Sequence, residues 1–317
     1  MLWEAMRTSL RVLASLVLLT ACGDDDDDGT ASDDAGVVVE DDGGTAPDTG
    51  VVDAGSRPPT TIGGERPATV RIPTDYDASG SYPLVVLLHG YGASGSVQEL
   101  YFGLRSLVSS RGFVAVIPDG TENSGGDRFW NATAACCDFE STGVDDVAYI
   151  SGLIDEAVET YAVDPDRVYL LGHSNGGFMS YRMACDASEK ITAIASLAGA
   201  AHPSESDCGT PTEPTSVLQI HGTEDGTIQY EGAVGYPSAP VSVERFATRA
   251  GCGETMTTLD PLDFDSSIDG AETERVETSE GCADGTVYAL WTIEAGGHIP
   301  TLADGAIGAA VDWLLAH

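Results

Sequence analysis

Six apolar runs, interleaved with stretches of helical spacing, constrain this chain more than any other feature. Pro83-Leu-Val-Val-Leu-Leu-His89, Phe113-Val-Ala-Val-Ile117, Val168 to Gly172, Ile191 to Leu197, Ser216-Val-Leu-Gln-Ile220 and Thr286 to Ile293 show little polar alternation. A strand that is apolar on both faces must be covered on both faces. The segments Val97 to Ser110, Val144 to Tyr161, Asn175 to Ala187, Val241 to Arg249 and Ala306 to Ala316 carry the spacing of helices that would supply this cover. The expectation is a doubly wound α/β domain with a mostly parallel sheet and helices on both faces. No internal repeat is visible, and residues 61–317 suffice for one large domain with its own core.

In such a sheet, chemistry gathers on loops at the carboxyl ends of the strands. Those ends run into His89-Gly90, Asp119, Ser174, the stretch from His221 to Asp225, and His298. With 38 glycines in the chain, a bare Gly-x-Ser-x-Gly match is weak. Ser174, however, follows an apolar strand directly and precedes a helix, the setting of a nucleophile elbow. There the serine takes a strained backbone conformation, and Gly172 and Gly176 avoid side-chain collisions in the turn.

Serine is a poor nucleophile at neutral pH and needs a positioned base. Of the histidines after Ser174, His317 ends the chain and His221 sits at a strand tip, where a core or turn-stabilising role is expected. His298, within Glu294-Ala-Gly-Gly-His-Ile-Pro300, lies in a glycine-flanked loop between the last strand and the last helix and is the candidate base. Asp225 is the candidate acid that orients it, with Glu224 as its nearest competitor, in the chain order Ser, Asp, His. Two backbone N–H groups would receive a developing oxyanion, one from Asn175 and one from Tyr91 in the His89-Gly90-Tyr91-Gly92 loop. His89 itself is expected to hold that loop. Within the long segment Asp119 to Gly143, Trp130 is a candidate to stack on a substrate ring, with packing beneath the loop as the alternative.

The first 22 residues carry Arg7 and Arg11, a short apolar run from Val12 to Leu19, and Leu19-Thr-Ala-Cys22. The run is too short for a permanent membrane span and fits an export signal, and its end resembles a bacterial lipobox with Cys22 as the lipidated residue. From Gly23 to Thr60 there are twelve acidic residues against one arginine and no aromatic residue, which implies a self-repelling, extended tether. Six further cysteines in an exported chain imply three disulfides, and their spacing does not suit a zinc site. The expected pairs are Cys252 with Cys282, flanking an acidic insertion, and Cys136 and Cys137 tied to Cys185 and Cys208. The formal net charge of −37 argues against nucleic acid or an anionic membrane surface as partner. Membrane contact is expected only through the N-terminal lipid.

Taken in order, Leu87-Leu-His-Gly-Tyr-Gly92, Phe129-Trp-Asn-Ala132 leading to Cys136-Cys137, Val144-Asp-Asp-Val147, Gly172-His-Ser-Asn-Gly-Gly177, Tyr181-Arg-Met-Ala-Cys185, Ile220-His-Gly-Thr-Glu-Asp225 and Gly296-Gly-His298 resemble the secreted α/β-hydrolases grouped as polyhydroxybutyrate depolymerases and feruloyl or acetylxylan esterases. The resemblance covers nearly all of residues 61–317. It implies the α/β-hydrolase fold, a Ser174, Asp225, His298 triad, ester hydrolysis through an acyl-enzyme, and no cofactor or metal. The expected substrate is a short acyl or hydroxycinnamoyl ester, with a polyester as the alternative. A scaffold retired to binding would lack a triad member or the donor loop, and all are present here. One departure stands out: these enzymes usually follow the final histidine with threonine and tryptophan, where this chain has Ile299-Pro300 and a shortened loop.

Overall fold

A computed structural model describes residues 58–317. The expected export signal, Cys22 and nearly all of the expected tether lie outside the described residues. The short strands β1 (Thr61–Ile62) and β2 (Ala68–Arg71) lead into β3 (Tyr82–Leu88), followed by helices α1 (Gly95–Phe102) and α2 (Leu104–Arg111). After β4 (Val114–Ile117), a small hairpin of β5 (Thr121–Glu122) and β6 (Arg128–Phe129) precedes α3 (Asp146–Thr160), β7 (Val163–His173) and α4 (Asn175–Asp186). Next come β8 (Ala193–Leu197), β9 (Ser216–Gly222) and α5 (Ala239–Arg249). The chain closes with β10 (Thr257–Leu262), β11 (Thr273–Thr278), β12 (Tyr288–Ile293) and α6 (Ala306–Ala316).

Ten strands form one sheet in the order β1-β2-β4-β3-β7-β8-β9-β12-β11-β10. The six central strands, β4 through β12, run parallel, and antiparallel pairs extend both flanks. Strand periodicity divides the core into two layers. Leu84, Val86 and Leu88 of β3 face a layer that includes α3, α4 and α5. Val85 and Leu87 face the opposite layer, built with α1, α2 and α6. This is the expected doubly wound arrangement, and it is the α/β-hydrolase fold.

The register of the central strands aligns their carboxyl ends. His173 pairs with Leu197, Leu197 with Ile220, and Ile293 with Gly222. Loops leaving β7, β9 and β12 therefore start from one edge of the sheet.

Two local expectations are corrected, and one further element is found where none was expected. The helix expected over Val97 to Ser110 is two helices, because Gly103 at φ 59° takes a left-handed conformation that ends α1. The acidic insertion between Cys252 and Cys282 contains β10 and β11, an antiparallel hairpin that continues the sheet beyond β12. Its first strand reads Thr-Thr-Leu-Asp-Pro-Leu and is largely exposed, so it shows neither an apolar run nor a clean alternation.

The disulfide pairing differs too. Cys252 pairs with Cys282 as expected, but Cys136 pairs with its neighbour Cys137, and Cys185 pairs with Cys208. The Cys136–Cys137 link lies in a tight turn in which Thr133 and Cys136 exchange backbone hydrogen bonds. Cys208, in the turn Glu205–Cys208, meets the last turn of α4. Non-reducing peptide mapping is expected to give the links 136–137, 185–208 and 252–282, and a link from Cys136 or Cys137 to Cys185 or Cys208 would contradict this packing.

Candidate active site

Ser174 leaves β7 at φ 54°, ψ −118°, a sparsely populated conformation that costs a non-glycine residue roughly 1–3 kcal/mol. The turn is held from behind by the Ser174 N–H donating to Leu197 O at 2.8 Å. A Cβ at Gly172 would collide with the Gly176 backbone, and one at Gly176 would collide with Leu88 and His89. These two glycines let α4 begin directly against β3 and β7, with the serine hydroxyl at the sheet edge.

The loops after β9 and β12 are stitched together by backbone bonds, Thr223 N–H to Ile293 O at 3.0 Å and Glu224 N–H to Gly296 O at 2.9 Å. That pairing places Asp225 inside and Glu224 outside: Asp225 is buried and Glu224 exposed. His298 Nε2 lies 2.9 Å from Ser174 Oγ, and His298 Nδ1 lies 2.7 Å from Asp225 Oδ2. The three predicted residues are thus brought into one hydrogen-bonded line across three loops.

Asp225 Oδ1 accepts the backbone N–H groups of Thr227 and Ile228, both at 2.8 Å. Burial by itself would raise the Asp225 carboxyl, but hydrogen bonds from His221 and His298 outweigh it and hold the group well below the usual carboxylate range. The arrangement keeps an anion where the imidazole of His298 can rest on it. Chemically, it can draw the hydroxyl proton of Ser174 toward His298 and stabilise the imidazolium that results.

His89 holds the loop after β3, as expected. Gly120 N–H donates to His89 Nε2 at 2.8 Å, so the ring proton sits on Nδ1 and donates to Gly90 O at 2.8 Å. Burial lowers this histidine to about 4. Tyr91 in the same loop packs its ring 5.4 Å from Phe139 and accepts from Asn123 Nδ2 at 2.7 Å.

Asn175 opens α4 fully buried, and its side chain clamps the backbone of Trp130: Trp130 N–H donates to Asn175 Oδ1 at 2.7 Å and Asn175 Nδ2 donates to Trp130 O at 2.9 Å. Trp130 itself is 0 % exposed. Its indole N–H donates to His89 O at 3.0 Å and its ring packs against His89 and Tyr149. No face of Trp130 is open to a substrate, which corrects the expectation that it stacks on one. The tryptophan packs beneath the loop because its N–H and both of its backbone groups find partners there.

His173 went unnoticed in the sequence. Its Nε2–H donates to the backbone carbonyl of His298 at 3.1 Å, and its ring lies 5.3 Å from that of His298. Tyr101, packed on the other side of His173 at 5.6 Å, donates its hydroxyl to Pro300 O at 2.7 Å. Together they bracket the loop that carries His298, with Pro300 O as one of its fixed points. The only signal available was the position of His173 between Gly172 and Ser174. Among the described residues, no group of three or more His, Cys, Asp or Glu side chains is arranged to hold a metal ion.

Residues 77–238 match the family described as Phospholipase/Carboxylesterase. The chain is 28% identical over 259 residues to feruloyl esterase D of Neurospora crassa, covering 77% of this chain and 78% of that enzyme. It is 26% identical over 254 residues to feruloyl esterase B of Piromyces equi, covering 77% of this chain but 44% of that protein. Among solved structures, the acetyl xylan esterase of Aspergillus awamori superposes with a TM-score of 0.58 at 16% identity, over 80% of this chain and 97% of that one.

The buried histidines give the fold a defined acid sensitivity. An unfolded histidine takes up its proton near 6.5, whereas folded His89 does so only at about 4. Between these values the unfolded chain binds more protons, so the contribution of His89 is complete above 6.5 and is lost as pH falls toward 4. His89→Gln keeps an acceptor for the Gly120 N–H and does not titrate. Urea unfolding at steps from pH 7 to pH 4 is expected to show a shallower fall for this variant, by up to about 3 kcal/mol. Equal slopes would contradict the assignment.

Proposed function

Because the chain belongs to the phospholipase/carboxylesterase family, we propose that it is an exported serine hydrolase of carboxylic esters, with Ser174 as nucleophile, His298 as general base and Asp225 as the acid that orients it. The observation that carries this reading is the unbroken line from Ser174 Oγ to His298 Nε2, 2.9 Å, and from His298 Nδ1 to Asp225 Oδ2, 2.7 Å. His298 takes the proton as Ser174 attacks the ester carbonyl, and the N–H groups of Tyr91 and Asn175 receive the oxyanion. The alcohol leaves with the proton from His298. Water, activated by the same histidine, then hydrolyses the acyl-enzyme.

The similarity to feruloyl and acetylxylan esterases supports a short acyl or hydroxycinnamoyl ester as substrate. A second reading, cleavage of a polyester, is favoured by Ile299, which directly follows His298 and is 41% exposed, an apolar side chain beside the proposed base. Export is supported by the three disulfides, which persist in oxidising compartments. Anchoring through Cys22 rests on the lipobox-like sequence alone. Among the described residues, no helix is long and apolar enough to cross a membrane.

Purified wild type and Ser174→Ala, assayed on acetyl, butyryl, methyl ferulate and hydroxybutyrate-oligomer esters, decide the chemistry. Ser174→Ala is expected to lose at least about 10³-fold in kcat, and Asp225→Asn a comparable amount, on every ester that wild type cleaves. The preferred ester names the substrate class, and activity retained by Ser174→Ala would refute the triad. In a bacterial host fed labelled palmitate, Cys22→Ser is expected to abolish labelling of the chain, and a labelled Cys22→Ser variant would refute the anchor.

A further inference from the structure

Behind Asp225, buried polar side chains form a chain of hydrogen bonds whose direction can be worked out from one fixed point. Gly199 O can only accept, so the Gln219 side-chain atom 2.8 Å from it is the amide nitrogen. The amide oxygen therefore faces Tyr181, whose hydroxyl donates to it at 2.9 Å. Tyr181 is fully buried, and burial pushes its hydroxyl upward, so it keeps the proton it donates. The second amide hydrogen of Gln219 points at His221 Nδ1, 2.9 Å away. Nδ1 must accept it, which leaves the ring proton of His221 on Nε2. That Nε2–H faces Ile228 O at 2.8 Å and Asp225 Oδ2 at 3.2 Å.

Neither Gln219 nor His221 is exposed enough for water to replace these partners. If the His221 proton sat on Nδ1 it would oppose the amide hydrogen of Gln219, and a bare Nε2 would face one carbonyl and one carboxylate. Both clashes lie in a setting where unpaired polar groups are costly. A ring filling a strand tip for packing alone would not need a buried amide aimed at one of its nitrogens.

We propose that Gln219 and His221 are positioning residues that act through Asp225. Gln219 holds His221 as the Nε2–H tautomer, and that Nε2–H, bonded to Ile228 O, stands 3.2 Å from the same Asp225 oxygen that receives His298 and fixes that carboxylate in orientation. This rests on the reading of Ser174, Asp225 and His298 as a catalytic triad.

The test combines ring-nitrogen NMR of the full chain labelled with ¹⁵N-histidine, the His221 signal being identified by its loss in His221→Asn, with kinetics of Gln219→Met, which keeps bulk and removes the amide. Wild type is expected to carry the His221 proton on Nε2. Gln219→Met is expected to show some Nδ1–H form and to lose kcat by about tenfold with KM within about twofold. A wild-type proton on Nδ1 overturns the proposal, even if Gln219→Met does not fold. So does a Gln219→Met protein whose kcat stays within about twofold of wild type. Ser174→Ala separates the two readings: if it stays active, the triad and the positioning role both fall, whereas an inactive Ser174→Ala beside an unimpaired Gln219→Met removes the positioning role only.

Discussion

Everything at this site depends on the parallel register of four neighbouring strands. Because β7, β8, β9 and β12 pair in one direction, the chain leaves β7, β9 and β12 at a common edge. Ser174 follows the last residue of β7 directly, Asp225 stands three residues beyond β9, and His298 stands five beyond β12. Short excursions from an aligned edge suffice to bring together residues 51 and 73 positions apart in the chain.

Histidine shows how strongly the surroundings set the role of one side chain. His89 and His173 are buried and driven toward the neutral form, to about 4 and about 3, and each holds a backbone carbonyl. His221 lies between a donor amide on one nitrogen and a carboxylate with a carbonyl on the other. Only His298 pairs one nitrogen with a carboxylate and the other with a hydroxyl at a partly open position. That asymmetry suits a base that must receive a proton and later return it, and no other described histidine has it.

The legible parts were those governed by local rules. Gly172 and Gly176 mark a turn too tight for side chains, and the apolar runs on either side of Ser174 mark the strand and helix that the turn joins. The choice of His298 over His221 followed from place in a loop rather than in a strand, whereas Asp225 and its competitor Glu224 share one loop and only burial in the fold separates them. The sequence left Trp130 open between stacking on a substrate and packing beneath its loop, because a long irregular loop gives no sign of which residues turn inward, and its partner Asn175 lies 45 positions away. The vicinal Cys136–Cys137 link was missed because cysteine spacing restricts pairing only weakly. The hairpin of β10 and β11 escaped because an edge strand open to solvent need not be apolar.

By itself, the sequence determined the doubly wound architecture, the elbow at Ser174 and the identity of Asp225 and His298 as its candidate partners. Each of these follows from periodicity and glycine placement, which act over a few residues, and from chain order, which is read directly off the sequence. Tertiary structure alone decided which cysteines meet, that Trp130 is buried, that His173 and Tyr101 hold the loop of His298, and that Gln219 orients His221. These depend on which side chains face each other once separate strands and helices pack. A hydrogen bond acquires its direction only when both partners and their other neighbours are in place.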